Sequence, residues 1–476
     1  MLIALMLILA SVSGFVSCSG RQGAKGSVSR PPMLMGVVPP DAAAVFSWHD
    51  MRKGFDYLCD NGQPLRALSG PNAAFRRLIS CAADSLPLKN APMALSVHYS
   101  GSFTPVLLLQ GSHERDTGAL ERSLEPFAKS LGLCYSSVPS GGRNVLLVSP
   151  SRTLLMSAER NLEYGYSVLS DDSFAALASS FGQGDALFLN HKYAGRFAGA
   201  VFSKPDKNRI SAIRKASDWT ALSLKAVDGV REGAFACQDD PRYLVNFLES
   251  ATAFDPQLPK VLPVSSFYAR SVGVAPYEEY LSSKRSYLDA NHALKRFEAR
   301  CDTIARRDSV IADPVTILRE SGIVEAATVS GRFPSLDSLW TVALLRLPPK
   351  RNYADNYSTS SEFLSLLFGE DFAMKGQLQR SREGEWLVIG TAESLQAYTD
   401  ALSEGVAADL PFASSAFKKV SSLVWFSAPV ALSLKRKALN GEFAKYLKSA
   451  PDAPRCYCAV LRGSGFKLYQ IDNPAE

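Results

Sequence analysis

The sequence predicts an α+β protein built from two duplicated halves, each a mainly antiparallel sheet with helices packed on one face. Short apolar runs joined by turn residues alternate with helical stretches, and the same order of elements occurs twice. Asp228-Gly229 stands between two alternating runs, which is a strong signal for a hairpin. With 476 residues, 46% of them apolar, the chain is too long for one ordinary domain and too apolar for a disordered protein.

Residues 1–17 have the pattern of a secretory signal peptide. Leu2 to Ala10 is an unbroken apolar run, and mostly small residues follow it up to Ser17. This run is too short for a membrane-spanning helix, which needs roughly 20 apolar residues. No later segment is a better candidate, so we expect no spanning helix in the rest of the chain.

Residues 18–35 are polar and rich in Gly and Ser, which is typical of a flexible tether. The small residue before Cys18, at the end of an apolar run, resembles the lipobox of bacterial lipoproteins. That resemblance implies that the Cys18 thiol is acylated, that Cys18 becomes the new N-terminus, and that membrane lipid is a partner. A secreted protein cleaved without lipidation is the alternative.

The two predicted repeats cover residues 36–250 and 251–476. Within each, we expect strand, helix, two strands, helix, hairpin, helix, helix, strand, helix and hairpin. Five segments of the first half match five of the second in the same order, although few residues are identical. The matched pairs are residues 37–58 with 260–281, 101–109 with 331–345, 146–149 with 387–390, 174–189 with 417–426, and 219–237 with 455–472.

The stretch 276–307 has apolar residues at near-helical spacing, among them Tyr280, Leu288 and Phe297, with many charges between them. A solvated helix packed on its own domain is the usual meaning of such a stripe, and a partner-binding helix is the alternative. Cys456 and Cys458 flank one residue in a predicted strand and so share a face. Without further ligands nearby, small buried hydrophobes are favoured over a metal site.

The charge is unevenly distributed. Residues 1–35 contain Arg21, Lys25 and Arg30 and no acidic residue, which is half of the net charge of +6. The two halves are close to neutral, and their basic clusters are not interleaved with aromatic residues, so nucleic acid is not expected as a partner. A positive tether suits an anionic membrane surface.

The sequence contains no complete catalytic motif, so no catalytic residue, cofactor or metal ligand is predicted. The five histidines lack the spacing of a zinc site, and there is no Gly-x-Ser-x-Gly or phosphate-binding Gly-rich loop. The acidic pairs at 171–172 and 239–240 are expected to be helix caps and turn residues. A cavity beside one of three side chains would favour an enzyme instead: His113, His191 or Ser415, of which Ser415 stands in a Ser-x-x-Lys sequence.

As a whole, the chain resembles the large envelope lipoproteins of Bacteroidetes-type bacteria, on the Cys18 signal and the repeated strand-helix pattern. In that family an acidic stretch after the cysteine is associated with surface display, and residues 19–30 contain no acidic residue. The resemblance therefore implies a lipid-anchored protein facing the periplasm, with a non-catalytic binding or structural role and an envelope protein or glycan as a conceivable partner. A periplasmic hydrolase with a site assembled from distant segments is the alternative.

Overall fold

The computed structural model describes residues 33–61, 77–79, 91–111, 114–182, 184–203, 207–246, 253–307, 314–333, 338–347, 361–410, 416–427, 455–462 and 464–472. These residues form a mixed α+β structure, so the predicted class is confirmed.

Sixteen strands belong to one antiparallel sheet. The strands of the first half are β1 Ala42–Trp48, β2 Met93–Tyr99, β3 Phe103–Leu109, β4 Cys134–Ser140, β5 Arg143–Ser149, β6 Ala186–Asn190, β7 Trp219–Ser223 and β8 Val230–Ala236. Those of the second half are β9 Tyr268–Gly273, β10 Glu325–Arg332, β11 Leu339–Arg346, β12 Gln379–Glu383, β13 Trp386–Gly390, β14 Ser422–Ser427, β15 Arg455–Arg462 and β16 Gly465–Asp472.

Eleven α-helices connect the described strands. They are α1 Met51–Asn61, α2 Glu114–Ser130, α3 Arg152–Glu163, α4 Asp172–Ser180, α5 Ala194–Val201, α6 Lys207–Arg214, α7 Tyr277–Ala290, α8 Leu294–Arg307, α9 Pro314–Ser321, α10 Ser361–Phe368 and α11 Ala392–Leu402.

The strand order is the same in both halves. From the outer edge inward, the first half runs β4-β5-β3-β2-β1-β6-β7-β8 and the second β12-β13-β11-β10-β9-β14-β15-β16, so each strand number rises by eight. The halves join through β8 and β16, which pair antiparallel with Glu232 opposite Lys467. The predicted repeat therefore has a counterpart in the strand order, whereas its origin by duplication stays a prediction.

Helices pack on both faces of the sheet, so the expected single covered face is wrong. One apolar core runs under α1, α2, α5 and α7 to α10 across both halves. On the opposite face, α3 and α4 cover the first half and α11 covers the second, over two separate cores. The physical reason lies in strands such as β1 and β3, which are apolar at nearly every position and buried at all of them, so both of their faces need cover.

Local sequence explains several boundaries. Asp228 and Gly229 have φ of 50° and 74° in the turn between β7 and β8, where the hairpin was expected. Asp171 caps α4 by accepting hydrogen bonds from the backbone of Ser173 and Phe174. Cys456 and Cys458 are buried on one face of β15, in agreement with the expectation that they act as small hydrophobes.

Candidate functional site

Of the three side chains named as candidates for an enzyme site, the structure describes only His191, and neither cavity described below contains it. Cys18, His113 and Ser415 lie outside the described residues. His191 is buried, with Nδ1 2.9 Å from the carbonyl of Ile213 and Nε2 2.6 Å from Thr220 Oγ1. Burial lowers the pKa of His191 to about 4, so it is a neutral group that links backbone segments.

The two acidic pairs are structural, as expected. Besides capping α4, Asp171 accepts a hydrogen bond of 2.8 Å from the indole of Trp219. Asp240 accepts hydrogen bonds from Arg242 two residues later, in a turn. Among the described residues, no group of three or more His, Cys, Asp or Glu side chains is arranged to hold a metal ion.

Lys284 of α7 is a buried lysine, only 5% exposed. Its Nζ donates hydrogen bonds to the carbonyls of Leu366 and Leu367, at 2.7 and 2.5 Å. These carbonyls belong to the last turn of α10, where a helix has no backbone donors left to satisfy them. Lys284 therefore links α7 to the C-terminal end of α10.

Burial lowers the pKa of Lys284 to about 7, and the nearby cation Arg270 adds to this shift. Arg270, in β9, is fully buried and forms an ion pair with Asp371, which follows α10. Tyr268 also donates a hydrogen bond of 3.1 Å to Asp371. The second half thus contains two buried basic side chains, Lys284 and Arg270, on the same side of the sheet.

A cavity of about 310 Å³ lies above Lys284, between α7, α8 and the end of α10. Its apolar wall includes Leu288 and Phe297, and its polar rim includes Arg296, Arg300 and Glu370. The two arginines are four residues apart on α8, so their side chains project from the same side of the helix. Within the described part of the chain, neither guanidinium has an ion-pair partner, which leaves both able to meet a ligand. We call this cavity the Lys284 pocket.

A second polar constellation lies in the first half. His98 Nδ1 is 3.0 Å from Asp41 Oδ1, and His98 Nε2 is 2.9 Å from Ser96 Oγ. A carboxylate only accepts, so Nδ1 carries the proton and Nε2 accepts from the serine. This Asp-His-Ser order resembles that of serine hydrolases in its geometry. Ser96, however, has no exposed surface, and neither cavity described in this section contains it.

The opposite face of the second half has an open groove of about 640 Å³ beside α11. Trp340 forms part of its floor, and Glu393, Asp400 and Glu404 give its rim a negative charge. This groove is larger than the Lys284 pocket, and none of its lining residues is a buried ionisable group. It therefore offers weaker grounds for a specific site.

Sequence reasoning missed Lys284 and Arg270. One signal was present for Lys284, because it stands four residues after Tyr280 and four before Leu288, within the buried stripe of α7. Arg270 gave no such signal, since only its distant partner explains its burial.

No helix in the described ranges is long and apolar enough to cross a membrane. Comparison of the chain with protein-family models, with curated proteins and with solved structures finds no match in any of the three.

Proposed function

We propose that this chain is an envelope lipoprotein, anchored through acylated Cys18 and facing the periplasm, whose role is binding rather than catalysis. The Lys284 pocket is its binding site. One observation supports this choice above the others: a cavity with an apolar wall is lined by a buried lysine and by two arginines for which the described residues supply no ion-pair partner. A binding site of this kind is a concave, mostly apolar surface with a few convergent polar groups.

The chemistry of the pocket favours a small anion with an apolar part. Arg296 and Arg300 can each present two parallel donors to a carboxylate or phosphate, whereas Glu370 is the one acid among the lining residues. Leu288 and Phe297 can cover an aliphatic or aromatic group. An envelope metabolite, or the acidic group of a glycan or of an envelope protein, would supply this anion.

Calorimetric titration of the purified chain with phenyl phosphate and with benzoate tests this site. Replacing both Arg296→Ala and Arg300→Ala should weaken binding by about tenfold or more, since a hydrogen bond to a charged group contributes roughly 1.5–3 kcal/mol. Lys295→Ala is the matched control, because Lys295 is an exposed cation of the same helix outside the pocket. Equal weakening by the control, or no binding of either probe, would contradict the proposal.

The anchor has its own test in the native envelope. Cys18→Ser should move the protein from the membrane fraction to the soluble fraction, since acyl chains on that thiol would be lost. Cys59→Ser, which changes an exposed cysteine of α1, should leave the protein with the membrane. A Cys18→Ser protein that still sediments with the membrane would refute the anchor.

A periplasmic hydrolase is the second candidate, and the Asp41-His98-Ser96 arrangement is the observation in its favour. A serine-reactive fluorophosphonate probe tests it directly. Labelling of the wild type that disappears in Ser96→Ala would favour the hydrolase. The binding proposal predicts no labelling, because Ser96 is fully buried.

A further inference from the structure

Among the described residues of the first half, three of the four exposed large hydrophobic side chains lie close together in the sequence, and the fourth is Val227. Met156, Tyr164 and Tyr166 are 58%, 66% and 57% exposed, and all three belong to α3 or to the turn that follows it. Single exposed hydrophobic residues need no explanation, but three within eleven positions form a patch.

The orientation of this patch is fixed by the core. Leu154, Leu155 and Ala158 of α3 are buried against the sheet. On the outward side, exposed side chains follow at intervals of four residues, and together with Tyr166 we call them the α3 stripe. Its members are Arg152, Met156, Arg160, Tyr164 and Tyr166. The acids of α3 lie outside the stripe: Glu163 is exposed and Glu159 is half-buried, so the stripe itself contains the two arginines and no acid.

The described chain begins beside the α3 stripe. The backbone N–H of Val168, two residues after Tyr166, donates a hydrogen bond of 2.9 Å to the carbonyl of Val38. Val38 directly follows the 3-10 helix Met33–Val37, which packs in the same core as α3. Cys18 precedes Met33 by only fifteen residues, and a random coil of that length has a mean span of about 20 Å.

We propose that the α3 stripe lies against the lipid surface in which the acyl chains of Cys18 are inserted. This inference rests on the proposed anchor. Tyrosine side chains favour the interface between water and lipid, and the two arginines suit anionic headgroups. The tether keeps the stripe at a high local concentration at the membrane, so its own affinity for lipid can be weak.

The corresponding helix of the second half provides an internal control. Aligned on their capping residues, Ser151 and Thr391, α3 and α11 can be compared position by position. At the positions of Arg152, Met156, Arg160 and Tyr164, the second half has no exposed basic or aromatic side chain: the aligned residues are Ala392, Gln396 and Asp400 of α11, and Glu404 just after it. An acidic helix of this kind is repelled by an anionic surface, so lipid contact is expected at α3 and not at α11.

Hydroxyl-radical footprinting of the full chain tests the inference. The wild type is reconstituted on vesicles of phosphatidylglycerol and phosphatidylethanolamine, and the reference is the Cys18→Ser protein in vesicle-free buffer. We expect oxidation of Met156, Tyr164 and Tyr166 to fall by threefold or more on vesicles, with Leu339 of the second half unchanged. Unchanged oxidation of all four residues would overturn the inference.

Flotation separates this result from a failure of the anchor. If the Cys18→Ser protein floats with added vesicles as the wild type does, the anchor is refuted, whereas the oxidation pattern of the vesicle-bound wild type still reports on the α3 stripe. On vesicles, a variant that combines Met156→Ser, Tyr164→Ser and Tyr166→Ser should be cleaved faster than the wild type within the Ser19 to Arg30 segment. The body of the variant then moves away from the lipid and leaves this segment accessible to protease. An unaltered proteolysis rate would also count against the inference.

Discussion

Phe46 of β1 and Arg270 of β9 occupy the same place in the two halves of the sheet. In the first half, Phe46 pairs with Leu187, Leu187 with Leu222, and Leu222 with Gly233 of β8. In the second half, Arg270 pairs with Val424, Val424 with Ala459, and Ala459 with Leu468 of β16. Each residue therefore lies three cross-strand steps from the central strand of its half. Phe46 stacks on Trp48 with ring centroids 5.8 Å apart, whereas Arg270 forms a buried ion pair with Asp371.

The same strand order thus encloses two chemically different cores. The first half has an aromatic core at this position, and its buried polar groups, such as His98 and His191, bind neighbouring segments. The second half places Arg270 and Lys284 on the same face, below the pocket formed by α7, α8 and α10. A buried charge costs free energy unless it is paired, so the buried basic groups of the second half are the observation in favour of the binding site proposed there.

The largest effect is expected from Asp371→Ala, which leaves Arg270 buried without its carboxylate. The free energy of unfolding should fall by about 3–5 kcal/mol, as for other buried ion pairs that lose one partner. Urea denaturation measures this loss. Replacing the pair by apolar residues, with Arg270→Met and Asp371→Leu, should recover most of it. A double variant as unstable as Asp371→Ala would show that the ion pair is not the cause.

Lys284 makes the stability of the second half depend on pH, with the greater stability on the alkaline side. Its pKa is about 7 in the folded chain and about 10.4 when unfolded, so the unfolded state binds more protons between these values. Stability should therefore rise with pH, by about 2 kcal/mol between pH 7 and 9. Denaturation of wild type and Lys284→Met at several pH values isolates this contribution. A rise that is the same in both proteins would contradict the assignment.

His191 makes the first half sensitive to acid by the same logic. Its pKa is about 4 in the folded chain and about 6.5 when unfolded, so folding is weakened as the pH falls through this range. The loss attributable to His191 should be about 2 kcal/mol between pH 7 and 5. His191→Gln should be less stable at pH 7 yet lose less on acidification. Equal acid sensitivity of the variant would argue against a buried neutral histidine.

The seam between the halves depends on close packing at Gly233. A Cβ built there would lie 2.1 Å from the ring of Phe466, so Gly233→Ala should cost about 1–3 kcal/mol through overpacking. Gly199→Ala in α5 is the control, because its Cβ would meet nothing within 4 Å. That substitution should be neutral or slightly stabilising. A Gly233→Ala protein as stable as wild type would mean that the seam adapts easily.

The smallest effect is expected for the charged pair at the centre of the same seam. Glu232 and Lys467 are 3.3 Å apart, but their side chains are 71% and 42% exposed. Glu232→Gln should therefore cost about 0.5 kcal/mol or less, and less still at high salt. A loss above about 1 kcal/mol in thermal or urea denaturation would show that this pair helps to hold the halves together.

Features that depend on neighbouring residues could be predicted from the sequence. The hairpin turn at Asp228-Gly229 and the cap at Asp171 are set by residues within a few positions, and both lie where they were expected. The α+β class follows in the same way, because alternating and helical patterns are local. The Cys18 anchor is also a local pattern and stays a prediction.

Features that depend on distant partners could not be predicted. Lys284 bonds to carbonyls more than eighty residues away, and Arg270 pairs with a carboxylate 101 residues away. Without those partners, a charge in a helical stretch such as 276–307 predicts a solvated side chain. The packing of helices on both faces of the sheet is likewise a tertiary property, because the strand pattern alone does not show which helix lies over which face.

A crystal structure of the chain grown with phenyl phosphate tests the central claim most directly. We expect the anion to lie within hydrogen-bond distance of Arg296 and Arg300, with its ring against Leu288 and Phe297. An empty Lys284 pocket at a saturating concentration of the probe, or the anion bound in the first half instead, would contradict it.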